Sequence, residues 1–136
     1  MKVMLDKGAI LPLSAHHQDA GYDLFTPRRV VLPAHGSVDI DTGVHVQIPP
    51  GKCLIVISKS GLMREEILST GLVDEGYVGS IHVILFNHSG KMYTFERGEK
   101  VSQFIITDYY KYDLEVVDEL EETERSSNGF GSTGRL

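Results

Sequence analysis

The chain has 136 residues, of which 41% are apolar, and this is enough to build the core of one domain without disulfide bridges or a structural metal. Its formal net charge of −6 at pH 7 argues against the basic face by which proteins hold a nucleic-acid duplex. The single cysteine excludes a disulfide framework, and no apolar stretch has the length of a membrane span or signal peptide, so we expect a soluble, cytoplasmic protein with no nucleic-acid or membrane partner.

Short β-type runs separated by Gly, Pro and Asp dominate the sequence and predict an all-β fold. Residues 44–48 alternate between apolar and polar and end at a Pro-Pro-Gly turn, after which residues 53–57 form a continuous apolar run. We expect these two runs to be neighbouring strands. A short helical stretch is expected at residues 62–68. The remaining strands are expected, in chain order, at residues 80–86, 92–95, 101–107 and 114–117.

The composition changes at Asp118. Five of the 19 acidic residues fall between Asp118 and Glu124, and a glycine- and serine-rich stretch follows. Such a segment has too little apolar surface to order itself, and on composition alone it would be an ordinary disordered terminus. We therefore predict a folded domain at residues 1–117 and a flexible C-terminal arm at residues 118–136.

Five short motifs follow one another along the chain. They are Ala-Gly-Tyr-Asp-Leu at 20–24, Ser-Lys-Ser-Gly-Leu at 58–62, Gly-Leu-Val-Asp-Glu-Gly-Tyr-Val-Gly at 71–79, Arg-Gly-Glu-Lys-Val-Ser-Gln-Phe at 97–104, and the glycine-rich stretch at 125–134. Each alone is a turn or a polar loop. In this order and at this spacing, the five motifs together resemble those of the trimeric dUTPase family.

The resemblance implies a fold, an assembly and an activity. The fold is a distorted jelly-roll, or β-clip, subunit of a homotrimer, in which three active sites lie between subunits and the flexible arm of one chain closes a neighbour's site. The activity is Mg²⁺-dependent hydrolysis of dUTP to dUMP and pyrophosphate. This reaction limits uracil incorporation into DNA and supplies dUMP for thymidylate synthesis.

The resemblance implies a role in catalysis for one residue, in deoxyribose selection for a second and in metal binding for a third. Asp74 matches the catalytic aspartate, a general base for the water that attacks the α-phosphorus, although an aspartate here is also an ordinary turn cap. Tyr77 matches the aromatic residue beneath the deoxyribose, which leaves no room for a 2′-hydroxyl; a surface turn residue is the plain alternative. Asp23 matches an acid that reaches Mg²⁺ through water, because the ion binds mainly to substrate phosphates. The histidines have no zinc-binding spacing.

Other matching positions would bind the nucleotide. Ser60 and Gly61 match the loop that holds the α- and β-phosphates, and Gln103 matches a glutamine that reaches the same region. Lys59 stands where the family has arginine, so its phosphate contact should be weaker and less directional. The uracil is expected to contact the main chain of residues 68–74 and the strand that follows, at Leu68, Gly71, Leu72, Val73 and His82. For His82, a histidine with its hydrogen bonds satisfied within the strand is the alternative.

The arm supplies the last set of matches. Arg125 matches the arginine for the γ-phosphate and Phe130 the ring that stacks on uracil, and Gly131, Ser132 and Thr133 match further substrate contacts. The glycines would let the arm fold tightly over the nucleotide. The arm would then be a lid that orders when substrate binds.

Two rival functions remain open at this point. A dCTP deaminase, or a bifunctional deaminase and hydrolase, shares the fold but uses a glutamate in the strand after the third motif. This chain has no acid between Ser80 and Phe86. The other rival is a non-catalytic regulator with the same fold. The presence of Asp74 and of the arm argues against it.

Overall fold

The structure is a computed structural model that describes all residues, 1–136. It contains ten strands and one short helix. In chain order these are β1 (Lys2–Leu5), β2 (Tyr22–Phe25), β3 (Val30–Leu32), β4 (Ser37–Gln47), β5 (Lys52–Ile57), α1 (Ser60–Arg64), β6 (Ile67–Leu68), β7 (Thr70–Val73), β8 (Ser80–Asn87), β9 (Tyr93–Phe95) and β10 (Lys100–Asp108). The predicted all-β class is confirmed.

Two antiparallel sheets of four strands enclose the core. The first has the order β1-β4-β8-β6 and the second β2-β10-β5-β7, while β3 and β9 form a separate pair. Strand β8 shows why the sheets pack, because its residues are alternately buried and exposed along its whole length. Its inward Ile81, Val83 and Leu85 join Leu54 and Phe104 of the second sheet in one apolar cluster. Burial of this apolar surface is the main stabilising contribution.

The predicted pairing of the first two runs is wrong. Strand β4 pairs with β1 and β8, whereas β5 pairs with β10 and β7 in the other sheet. The turn between them, with Gly51 at a φ of 77°, carries the chain from one sheet to the other. An alternating pattern shows which face of a strand is buried but does not show which strand lies beside it.

The helix is shorter than expected and begins earlier. It covers Ser60–Arg64, and the backbone N–H groups of Glu65 and Glu66 close its last turn on Leu62 and Met63. Glu66 has a positive φ of 62°, which ends the helix. Residue Ile67 then enters β6 and is buried, so the apolar end of the predicted helix is a strand.

No strand forms at residues 114–117. Leu114 and Val116 are 95% and 99% exposed, and no other strand of the subunit lies beside them. The other predicted strands are confirmed as β8, β9 and β10.

The arm has turns but no helix or strand. Its hydrogen bonds run only within the arm, such as those from the N–H groups of Ser126 and Ser132 to the carbonyls of Thr123 and Gly129. The boundary at residue 118 stays a prediction. The helix of the structure is too short to cross a membrane.

Candidate active site

A groove of about 320 Å³ opens between the two sheets. The loop of residues 74–79 lies at this groove, since it leaves β7 in the second sheet and enters β8 in the first. It is therefore a crossover between the two sheets and does not join paired strands. The residues that line the groove include both Asp74 and Tyr77.

Asp74 is exposed, and its carboxylate makes no hydrogen bond within the protein. Its main-chain carbonyl accepts a hydrogen bond of 3.0 Å from the N–H of Tyr77, which closes the turn. The side chain therefore does not cap the turn. Both carboxylate oxygens are available to accept a proton from a bound water.

Tyr77 is held by the first residue of β8 and lies against Gly79 of its own loop. Its hydroxyl donates a hydrogen bond of 2.9 Å to the carbonyl of Ser80. A Cβ atom placed on Gly79 would lie 2.5 Å from the Cζ atom and 2.9 Å from the Cε2 atom of the ring. Glycine at position 79 is what allows the ring to lie there.

Most, but not all, of the residues expected to contact the uracil line the groove. Gly71, Leu72, Val73 and His82 all line the groove, whereas Leu68, on β6, does not. The imidazole Nδ1 of His82 lies 2.8 Å from a carboxylate oxygen of Asp39 on β4. His82 thus has a partner within the first sheet and also lines the groove.

Two acids beside the groove were missed by the sequence reasoning. Asp39 and Asp41 lie opposite Ile84 and His82 in the pairing of β4 with β8. Asp41 accepts a hydrogen bond from the hydroxyl of Ser80, and this bond is the main reason that its pKa is lowered. Their spacing of two residues on one strand was the available signal, because it predicts a shared face.

A second, polar depression of about 610 Å³ contains Asp23, Lys59 and Gln103. Strand pairing brings them together, since Gln103 lies opposite Asp23 on β2 and opposite Ile57 on β5, two residues before Lys59. We call this depression the lysine channel because Lys100 also lines it. Both of its ammonium groups pair with the carboxylate of Asp23.

Asp23 forms ion pairs with both lysines of the lysine channel. Its side chain is only 8% exposed, and it accepts hydrogen bonds from the ammonium of Lys59 and, at 2.8 Å, from that of Lys100. Burial acts to raise the pKa of Asp23, but the hydrogen bonds and charges of Lys100 and Lys59 outweigh it, so the pKa lies below its ordinary value. Asp23 therefore stays ionised at neutral pH.

Lys100 was missed because simple alternation would put it and Gln103 on opposite faces of the strand. A bulge between Lys100 and Ser102 changes that alternation and brings Lys100 to Asp23. The amide of Gln103 donates to the carbonyl of Ser58 at 3.2 Å. A Cβ on Gly21 would lie 2.6 Å from its Oε1 atom, so the glycine gives Gln103 its space.

Ser60 and Gly61 form the first turn of α1, directly after Lys59. The amides of a first helical turn have no acceptor within the helix and remain available to a ligand. The amides of Ser60 and Gly61 therefore follow directly after Lys59, whose ammonium pairs with Asp23.

The arm residues do not reach either cavity of their own subunit. Arg125 donates a hydrogen bond of 2.8 Å to the carbonyl of Asn128, within the arm. Phe130 is fully exposed. The matched residues Gly131, Ser132 and Thr133 lie in the same exposed stretch and make no hydrogen bond to residues 1–117.

The structure contains no group of three or more His, Cys, Asp or Glu side chains that could hold a metal ion. One candidate ligand in the channel is Asp23, whose two oxygens each accept a hydrogen bond from a lysine. Each oxygen keeps a second lone pair, which a metal-bound water can approach. The residues present therefore fit a hydrated ion that takes its other ligands from a substrate.

The two packed antiparallel sheets define the class: a small all-β protein of the jelly-roll type. The family model for dUTPase matches residues 7–134. Deoxyuridine 5′-triphosphate nucleotidohydrolases of Clostridium acetobutylicum and Gloeothece citriformis are 39% and 40% identical to the chain, and each match covers 96% of this chain and 92% of the relative. The chain belongs to the dUTPase family.

Solved structures agree with that assignment. The dUTPase of Staphylococcus bacteriophage 80alpha with dUpNHpp superposes with a TM-score of 0.91 at 30% identity, over 98% of both chains. A mutant dUTPase from phage phi11 of S. aureus, described with a structural Mg(II) ion, has a TM-score of 0.80 at 27% identity, over 89% of this chain and 98% of that one. The jelly-roll fold expected from the sequence is confirmed.

Proposed function

We propose that this protein hydrolyses dUTP to dUMP and pyrophosphate. The observation that carries the proposal is the unengaged carboxylate of Asp74, which stands at a groove of nucleoside size in a chain of the dUTPase family. The resulting activity would limit uracil incorporation into DNA and supply dUMP. The cytoplasmic location stays a prediction.

Asp74 would act as the general base. Its carboxylate orients a water and accepts its proton while the water oxygen attacks the α-phosphorus and pyrophosphate leaves. The charge on the phosphate oxygens would be balanced by Lys59 and by the hydroxyl and amides of Ser60 and Gly61. Lys59 would have to leave Asp23 for this contact, and Lys100 would then still pair with Asp23.

The groove would select the base through main-chain groups. Strand β7 is an edge strand that pairs only with β5, so one side of Thr70–Val73 has free N–H and C=O groups. Such groups match the donor and acceptors of a uracil edge. Tyr77, held over Gly79, would lie beneath the sugar and exclude a 2′-hydroxyl by steric contact.

The metal proposed for this site is Mg²⁺. When bound, it neutralises charge on the phosphate oxygens as the leaving group departs. This chain would hold it indirectly, through water at Asp23, while the substrate phosphates supply the direct ligands.

We also propose a homotrimer with shared active sites. Two observations support it: Arg125 and Phe130 make no contact with their own site, and β8 presents Ile84 and Phe86 on its outer face. In a trimer the arm of one chain would close the site of another. Light scattering should give about three times the chain mass of 15.1 kDa, and a fully active monomer would contradict the proposal.

The position of bond cleavage tests the reaction. Hydrolysis of dUTP in ¹⁸O-labelled water, followed by mass spectrometry, should place the label in dUMP, because the water attacks the α-phosphorus. Label in pyrophosphate instead would mean attack at the β-phosphorus and a different mechanism. No turnover of dUTP with Mg²⁺ would reject the proposed function.

A further inference from the structure

Glu75, the residue after Asp74, closes a ring of hydrogen bonds. One of its carboxylate oxygens accepts from the backbone N–H of Gly51, and the other accepts at 2.9 Å from the hydroxyl of Tyr109. The backbone N–H of Tyr109 in turn donates to the carbonyl of Gly51 at 3.3 Å. We call these three residues, Gly51, Glu75 and Tyr109, the carboxylate clamp.

The clamp joins three separate parts of the chain. Gly51 lies in the turn between β4 and β5, and Tyr109 follows the last residue of β10. Glu75 belongs to the loop that carries Asp74. Strands β5 and β10 pair with each other up to Lys52 and Asp108, so both partners of Glu75 directly adjoin paired strand residues.

The rest of the loop is held at other points. Tyr77 bonds to Ser80, and the carbonyl of Val78 lies 2.8 Å from the Nδ1 atom of His45. Those contacts restrain the end of the loop that enters β8. Glu75, directly after Asp74, is the side chain of the loop that bonds to residues distant in the sequence, Gly51 and Tyr109.

The chemistry of the clamp favours a positioning role. A carboxylate that accepts a hydrogen bond at each of its two oxygens from a different donor is restrained in direction as well as in distance. The bond from Tyr109 also raises the pKa of that phenol. The Tyr109 hydroxyl therefore stays protonated at physiological pH and continues to donate its hydrogen bond to Glu75.

We propose that Glu75 is a positioning residue for Asp74, which fixes the catalytic loop to the end of β10 and to the turn before β5. The proposal rests on the proposed function, because it assumes that Asp74 is the base. A displacement of a catalytic group by about 1 Å can lower a rate by about 10²-fold. Loss of the clamp should therefore lower kcat more than it changes KM.

The test compares four variants of the full chain. Glu75→Ala removes the clamp, while Glu75→Gln keeps an acceptor for Gly51 and a polar group for Tyr109. Tyr109→Phe removes one bond of the clamp. Tyr93→Phe is the matched control, because Tyr93 donates the same kind of bond, also at 2.9 Å, to Glu65 outside the loop.

Glu75→Ala should lower kcat by about tenfold or more, with Glu75→Gln within about threefold of the wild type. Tyr109→Phe should fall between them and Tyr93→Phe should leave kcat unchanged. Equal losses in Glu75→Ala and Glu75→Gln would overturn the proposal, because the lost charge would then be the cause. Wild-type kcat in Glu75→Ala would overturn it as well.

Amide hydrogen exchange of residues 74–79 gives a readout that does not depend on turnover. Exchange there should be faster in Glu75→Ala than in the wild type, and should return towards the wild-type rate in Glu75→Gln. An unchanged exchange rate in Glu75→Ala would overturn the proposal that the carboxylate clamp restrains the loop. If the wild-type protein failed to hydrolyse dUTP, the proposed function would fail while this comparison still tested the clamp.

Discussion

The ring of Tyr77 lies directly against Gly79, two residues further along the same loop. A Cβ at position 79 would come within 2.5 Å of the ring carbon that bears the hydroxyl. The pair therefore sets the orientation of the ring at the groove, and the orientation in turn decides whether the ring can exclude a ribose.

Gly79→Ala should weaken selection of deoxyribose. The added methyl group must push the ring away, so the ratio of kcat/KM for dUTP over UTP should fall towards that of Tyr77→Ala. Gly76→Ala is the control, because no atom lies within 4 Å of a Cβ there and its φ is not positive. An unchanged ratio in both Gly79→Ala and Tyr77→Ala would return Tyr77 to the role of a turn residue.

Removal of the arm after Glu124 should abolish most activity and leave the fold intact. The lost contacts include an arginine–phosphate bond and a base stack, each of about 1–3 kcal/mol, so kcat/KM should fall by about 10²-fold or more. The midpoint of thermal unfolding should barely change, because the arm is exposed throughout. Phe130→Ala should show a smaller loss. Wild-type turnover by the truncated protein would mean that the arm is an ordinary terminus.

His45 should make stability depend on pH. The bond to the carbonyl of Val78, and then the carboxylate of Asp6, raise its pKa above the ordinary value, and the charge of Asp41 adds to this. The stabilisation is complete below about pH 6.5, the pKa of an unfolded histidine, and is lost as pH rises through the raised pKa. The difference in Tm between the wild type and His45→Gln should therefore be larger at about pH 5.5 than at about pH 9. A constant difference would contradict this role.

Much of the site could be predicted from the order of the motifs. The structure places Asp74 and Tyr77 in one groove, and Asp23, Lys59 and Gln103 in one channel. Their functional roles stay predictions. Asp74, Tyr77 and Lys59 lie in loops, where local sequence decides the conformation, whereas Asp23 and Gln103 lie within β2 and β10.

What the sequence did not predict depends on contacts between distant segments. The sheet change between β4 and β5 is set by which strands pair, and alternation alone carries no information on that. The contact of Lys100 with Asp23 depends on a bulge in β10. The bond between Glu75 and Tyr109 depends on the pairing of β10 with β5. The apolar residues at 114–117 fit a strand pattern, but the subunit offers them no partner.

The most direct test of the account is the turnover number of Asp74→Asn with dUTP and Mg²⁺, measured beside the wild type and Asp113→Asn, an exposed aspartate outside the site. The wild type should hydrolyse dUTP and discriminate against dCTP, UTP and dTTP. Asp74→Asn should lower kcat by about 10²-fold or more with a much smaller change in substrate binding, because the amide cannot accept the proton of the attacking water. A near-normal kcat in Asp74→Asn would contradict the account by removing Asp74 from the mechanism.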